Sequence, residues 1–272
     1  MDALIKGLFT GAVAAFGLYV LSTQGRTGHP GLAELRRWKY AHRGLHDTEK
    51  PENSIAAFRA ALENGYGIEF DIHLIKDGNL AVMHDRSLLR TTGIEGNITD
   101  LTTEELSNYH LCGTEETIPT FSQVLELFSC KAPLIIELKC NGNAEALVDA
   151  AVKAIDGYDG PYCMESFDPR CVYWLKKNHP QVIRGQLAEN FFASGGNLHP
   201  IVKFLLTHNL LNFLTQPDFV SYKFADRKAT PSSYVWQNLW KLQKVTWTLR
   251  SQEEYDTAVQ EGWIPIFENF TP

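Results

Sequence analysis

The sequence predicts an α/β protein: a (β/α)8 (TIM) barrel over residues 38–272, behind an apolar N-terminal helix. Three observations lead there. Strand-like and helix-like segments alternate from residue 38 to the end of the chain. The strands are apolar enough to be covered on both faces, which is how a parallel sheet flanked by helices reads. Their number, in a chain of 272 residues, suits closure into eight staves. An open doubly wound sheet is the alternative, yet no G-x-G-x-x-G or G-x-x-x-x-G-K-[ST] opens any helix.

Taken in order, the first element is apolar. GLFTGAVAAFGLYVL, from Gly7 to Leu21, carries no charge, and Lys6 is the one charge between Ala3 and Thr23. That is close to the roughly 20 residues a membrane span needs. Ser22-Thr23-Gln24-Gly25 offers no A-x-A-like exit, so an uncleaved anchor (residues 1–22) is expected ahead of a signal peptide, an interfacial helix or a core helix. Arg26, Arg36, Arg37 and Lys39 outweigh Lys6, and the positive-inside rule then puts the main domain in the cytoplasm. Residues 23–37, with Gly25, Gly28, Pro30 and Gly31, read as a linker.

The barrel pattern begins with a strand from Lys39 to His42. A helix follows over 53–64, with Ile55, Phe58 and Leu62 on one face, Gly65 as its stop, and Asn53 expected as an N-cap that also orients the site. Strands 68–74 and 80–84 flank the turn Lys76-Asp77-Gly78. Residues 86–119 are expected to form a small cap beside the site, lined or packed by Leu88, Leu89, Ile94 and Leu101. Short helices are expected over 100–109 and 120–128. The remaining strands are 134–138, 162–166, 182–187, 218–222, 245–249 and 264–267, with helices around 143–155, 168–178, 200–211, 232–243 and 251–261.

Composition narrows the function. With 44% hydrophobic and 21% charged residues the chain is ordinarily globular. A formal net charge of -7 and no Lys/Arg-rich stripe argue against a nucleic-acid partner. An anionic substrate would therefore be held by a few placed cations or by a metal. The five cysteines show no C-x-x-C pair and read as reduced thiols filling small apolar spaces.

Ionisable groups inside strands are the most informative feature. In IEFDIHL, Glu69 and Asp71 are two apart, so the pleat sends both carboxylates to one face and Ile68, Phe70 and Ile72 to the other. In LIIELK, Glu137 and Lys139 repeat the arrangement. Buried carboxylates repel unless a cation joins them, and Glu69, Asp71 and Glu137 form an all-oxygen set suited to a divalent cation, Mg²⁺ or Ca²⁺. His42 and His84 end strands, where barrel enzymes place their chemistry, and together read as a general acid and base. Arg43 and Lys139 are the cations expected for a phosphate. Such a set suits phosphodiester cleavage. His46 reads as part of a solvated loop.

HRG (42–44), PENS (51–54), Glu69-x-Asp71, KDG (76–78), VMHD (82–85) and Glu137-x-Lys139, in that order, resemble the glycerophosphodiester phosphodiesterase family. The likeness extends through IPTFSQVLEL, SFDP (166–169) and VTWTL, so it covers roughly residues 38 to 268 and leaves out the apolar N-terminus. The resemblance implies a distorted (β/α)8 barrel that hydrolyses a glycerophosphodiester to sn-glycerol 3-phosphate and an alcohol with a divalent cation. It implies His42 and His84 as the acid/base pair and Glu69, Asp71 and Glu137 as metal ligands. Arg43 and Lys139 would bind phosphate, and Trp247 would lie near the glycerol pocket. Two departures stand out: Glu268 and Asn269 where the family often has a Thr-Asp, and Arg250 where a smaller polar residue commonly follows the WT pair. A lysophospholipid substrate at a membrane is the enzymatic alternative, and a non-catalytic tethered barrel is the third.

Overall fold

Nine strands form one sheet in the computed structural model, which describes residues 2–272. They are β1 (Tyr40–His42), β2 (Gly67–Leu74), β3 (Leu80–Val82), β4 (Leu134–Leu138), β5 (Tyr162–Ser166), β6 (Arg184–Ala188), β7 (Phe219–Lys223), β8 (Gln243–Leu249) and β9 (Ile264–Phe267). Strand β1 pairs in parallel with both β2 and β9, which closes the barrel. Strand β3 alone runs antiparallel, hanging from β2 through Ile72–Val82 and Leu74–Leu80. The helices are α1 (Asp2–Ser22), α2 (Leu32–Leu35), α3 (Ile55–Glu63), α4 (Leu89–Thr92), α5 (Phe121–Phe128), α6 (Ala144–Ala154), α7 (Pro169–Asn178), α8 (Pro200–Thr207), α9 (Asn212–Thr215), α10 (Pro231–Asn238) and α11 (Gln252–Gln260). This is the (β/α)8 architecture the sequence predicts, with the apolar helix before it.

Period-2 alternation builds the core on both sides of the barrel wall. Ile68, Phe70, Ile72, Leu134 and Ile136 face outward and pack with Phe58 of α3 and Phe121 and Val124 of α5. Tyr40, Ile135, Cys163, Phe219, Val245 and Ile264 face inward and fill the floor with Leu32 and Leu35 of α2. Burying each of those leucines contributes about 1.5–3 kcal/mol. The stretch expected as a linker is therefore packed. Arg26 grips the carboxylate of Asp218 with Nε at 2.6 Å and a terminal nitrogen at 2.5 Å. A Cβ on Gly25 would clash with the Pro217 carbonyl, so this close approach requires glycine.

Four local expectations are corrected. The strand expected over 80–84 stops at Val82 and is not a barrel stave, because the turn at Gly78 folds it back along β2. The N-cap of α3 is Ser54, whose hydroxyl accepts from the Ala57 amide. The helix expected over 200–211 breaks where Asn209 takes φ 54, leaving α8 and α9. In the 86–119 cap, Leu88 and Leu101 are buried in a separate cluster with Ile98 and Leu106, whereas Leu89 and Ile94 are exposed.

Helix α1 contains an 18-residue window, Ile5–Ser22, of mean hydropathy 1.5 and 0% buried. Near its C-terminal end it meets the barrel: Trp240 Nε1 donates to the Val20 carbonyl at 3.0 Å, and the Tyr19 hydroxyl lies 3.3 Å from His208 Nδ1.

Candidate active site

The inward positions change character toward the carboxyl ends of the strands. Above Tyr40 comes His42, above Ile135 come Glu137 and Lys139, and above Cys163 comes Glu165. Asp71, Glu137 and Glu165 stand side by side in register across β2, β4 and β5. One oxygen from each of Glu69, Asp71 and Glu137 lies within 4.8 Å of the others, and all three residues are buried. Lys139 Nζ reaches Asp71 Oδ1 at 2.9 Å and Glu137 Oε1 at 2.7 Å.

Their electrostatics follow from burial and company. Asp71 stays well below the usual carboxylate range: burial opposes its charge, but Lys139, His84 and Arg43 overcome that, with Asn53 donating at 2.9 Å. Burial pushes Glu137 up to about 7, with Asp71 adding repulsion against Lys139. Glu69 is raised well above its ordinary value by burial and then by Asp71, Glu137 and Glu165, and its Oε2 has no hydrogen-bond partner. Glu165 is raised well above its ordinary value by burial and by Glu137. An orphaned oxygen inside an all-carboxylate set fits a hard divalent cation, which would bring Glu69 the positive partner it lacks.

Each histidine is backed by a carboxylate and an arginine. His84 Nδ1 lies 2.5 Å from Asp85 Oδ1, and Asp85 is held in turn by Arg90. His42 Nδ1 lies 3.5 Å from Glu268 Oε1, and Arg250 holds the other oxygen of Glu268 at 2.7 Å. At His84 the close carboxylate favours the tautomer with the proton on Nδ1 and leaves Nε2 free to act; at His42 the separation is too long for a hydrogen bond, and Glu268 acts there by its charge. The Nε2 of His42 faces Glu69 Oε2 at 3.7 Å. Burial lowers both histidines from their ordinary value.

Arg43 follows β1 in a left-handed turn, φ 55, and Gly44 continues it at φ 84. A Cβ on Gly44 would come within 2.9 Å of Ala57 and Phe58, so the turn needs glycine. Glu52 at 2.9 Å and Asp71 at 3.6 Å aim the guanidinium of Arg43. Glu52 is itself gripped by Arg90 of α4, which ties the cap to the site.

His42, Arg43, Glu69, His84, Glu137 and Trp247 line one cavity of about 370 Å³. Lys139 lies behind that wall, in contact with Asp71 and Glu137, and Asp71 is almost fully enclosed. Sequence reasoning singled out all eight of these residues and passed over several others. Glu165 lines the cavity and carries the same signal as Glu137, an acid on the inward face of an apolar strand. Asn53, expected both to cap α3 and to orient the site, leaves the capping to Ser54 and holds Asp71. His46, read as solvated, lies 3.2 Å from Glu268. The two departures at 250 and 268 turn out to be partners.

A family model described as the glycerophosphoryl diester phosphodiesterase family matches residues 42–271. The chain belongs to that family. Among relatives, it is 44% identical over 164 residues to a glycerophosphodiester phosphodiesterase of Caldanaerobacter subterraneus, covering 54% of this chain and 65% of that one. Over 109 residues it is 37% identical to a rat lysophospholipase D, covering 35% and 34%. The matches to three bacterial glycerophosphodiester phosphodiesterases span 43%, 65% and 62% of those proteins' lengths, two thirds or less. The fold matches a phosphodiesterase from Oleispira antarctica solved with the product sn-glycerol-3-phosphate, with TM-score 0.71, 22% identity and coverage of 89% and 95%. Within the family's frame, the barrel mouth is where this chain gathers its buried charge.

Proposed function

We propose that this protein hydrolyses glycerophosphodiesters to sn-glycerol 3-phosphate and an alcohol. The observation that carries the reading is one cavity lined by two carboxylate-backed histidines, Arg43 and two members, Glu69 and Glu137, of a buried three-carboxylate cluster. Glu69, Asp71 and Glu137 would hold a divalent cation, Mg²⁺ or Ca²⁺, which supplies charge stabilisation at the phosphoryl oxygens. Arg43, aimed by Glu52, pairs with the phosphate. Lys139 tempers the carboxylates beneath it. One histidine takes the proton of the glycerol hydroxyl that attacks phosphorus, and the other delivers a proton to the departing alcohol. Water then opens the cyclic phosphate with the roles exchanged. Glu268 and Asp85 act as positioning residues, Asp85 by fixing the tautomer of His84 and Glu268 by its charge beside His42. Trp247 closes the glycerol end of the cavity.

The test is hydrolysis of glycerophosphocholine and glycerophosphoethanolamine with EDTA and then with Mg²⁺, Ca²⁺ or Mn²⁺ restored. Activity should vanish with the chelator and return with at least one ion; no turnover under any condition would overturn the reading.

A second substrate class is favoured by one feature. The Trp247 ring meets Phe167 edge-on at 5.5 Å, and Phe167 meets Phe191 at 6.1 Å, an apolar series leading out of the cavity. An acyl chain of a lysophospholipid would lie along it. Faster hydrolysis of lysophosphatidylcholine than of glycerophosphocholine is the expected signature.

A further inference from the structure

One barrel helix has its apolar residues on the outside. Helix α6 buries Ala144, Leu147, Val148 and Ala151 against the sheet, as a barrel helix should. Helix α8 reads PIVKFLLT, and its one buried residue is Thr207. Ile201 is 64% exposed and Phe204 44%, and beyond the break Phe213 and Leu214 of α9 are exposed too. Between Phe191 and Gln216 the sequence carries a single formal charge, Lys203, in a chain that is 21% charged overall. A patch of this kind marks an interaction surface.

What covers it is indicated by its neighbour. The Phe204 ring lies 4.5 Å from that of His208, and the ring of His208 meets Tyr19 of α1 edge-on at 6.2 Å. The apolar face therefore runs directly to the point where α1 leaves the barrel. Helix α1 is uncovered along its 18-residue apolar window. It has no polar face along which to lie in an interface, and at 1.5 Å per residue the window is about as long as a bilayer core is thick. The surroundings of the C-terminal end of α1 therefore adjoin the end of α8.

We propose that the α8–α9 face rests in the headgroup and upper acyl region of a lipid bilayer, beside the entry of α1. Lys203 then lies at the level of the phosphates, where a lysine with an apolar stem is favoured. The loop between β6 and α8 leads from this face to the mouth. It carries Phe191, the outer member of the ring series that begins at Trp247, and the exposed Phe192. The seating would thus bring the cavity's apolar exit to the membrane. That consequence rests on the phosphodiesterase reading; the seating itself does not.

The experiment uses the full chain in phosphatidylcholine–phosphatidylglycerol vesicles, with Cys112, Cys130 and Cys140 replaced by serine. Nitroxides are placed singly by Ile201→Cys, Phe204→Cys and Phe213→Cys, with Val13→Cys on α1 and Glu126→Cys on α5 as references. Collision with oxygen and with a water-soluble nickel chelate is then measured. The expected result is an oxygen-to-chelate ratio several-fold higher at 201, 204 and 213 than at 126, approaching that at 13. A lipid signal at 13 with aqueous signals at all three sites would overturn the proposal, because the barrel would then stand off the bilayer. Shielding of the three sites from both probes would also overturn it, assigning the face to a second copy or to α1 folded back. Aqueous signals at every site, 13 included, would remove the membrane altogether. None of these readouts depends on turnover.

Discussion

Along β1, Tyr40 and His42 point into the barrel two residues apart, one into the floor and one into the cavity. The same step separates Ile135 from Glu137 and Cys163 from Glu165. On the floor side, the inward residues pack with one another, with α2 and with Trp38 and Trp247, and close by Arg26 and Asp218 form a bidentate pair beside the buried Arg184. On the mouth side, Glu69, Asp71, Glu137 and Glu165 are buried with Arg43 and Lys139 as their cations, so carboxyl groups outnumber cations and burial favours protons on Glu69 and Glu165. A crowded buried polar cluster costs stability, and a closed apolar floor supplies it. Stability and chemistry are thus separated along the strand axis by one pleat.

That separation can be attacked from either end. The largest effect is expected for His42→Ala, which should lower kcat about 10³- to 10⁴-fold, roughly 4–5 kcal/mol, with Tm nearly unchanged. A large drop in Tm instead would mean that the mouth is also a structural element. Arg26→Ala should leave the fully buried carboxylate of Asp218 without its partner and cost about 3 kcal/mol, seen as a lower midpoint in urea. Its kcat, measured where the variant is folded, should match that of the parent. Leu35→Ala should cost about 2–3 kcal/mol by opening a cavity in the floor, again with kcat intact. Loss of turnover in either floor variant would break the comparison. The smallest effect is the sharpest test of positioning: Glu268→Gln should lower kcat about tenfold, roughly 1.4 kcal/mol, with little change in KM. If KM rises while kcat holds, Glu268 belongs to substrate binding.

How much of this could be read in advance depends on the distance between partners. Glu69 and Asp71 declare themselves because two residues of extended chain share a face whatever the surroundings. Glu165 carried the same signal in YCMES and was overlooked, since a lone acid in an apolar strand has no neighbour in sequence to reinforce it. His46 and Glu268 stand 222 positions apart, and no local pattern joins them. His84 was placed at the end of a barrel stave, and it reaches the cavity by another route: β3 turns back along β2 and returns the chain to the level of Asp71, where the Met83 amide donates to the Asp71 carbonyl.

The sequence by itself determined the repeating β–α order, the inward face of each charged strand and the residue types of the site, because pleat and helix periods are local properties of the backbone. Closure of the barrel decided the rest. Bringing β9 beside β1 is what sets Glu268 and Arg250 behind His42. Packing residues 23–37 across the floor is what turns an apparent linker into a plug. Leaving α8 uncovered beside α1 is a matter of which surfaces remain after the sheet has closed, and that depends on every stave at once.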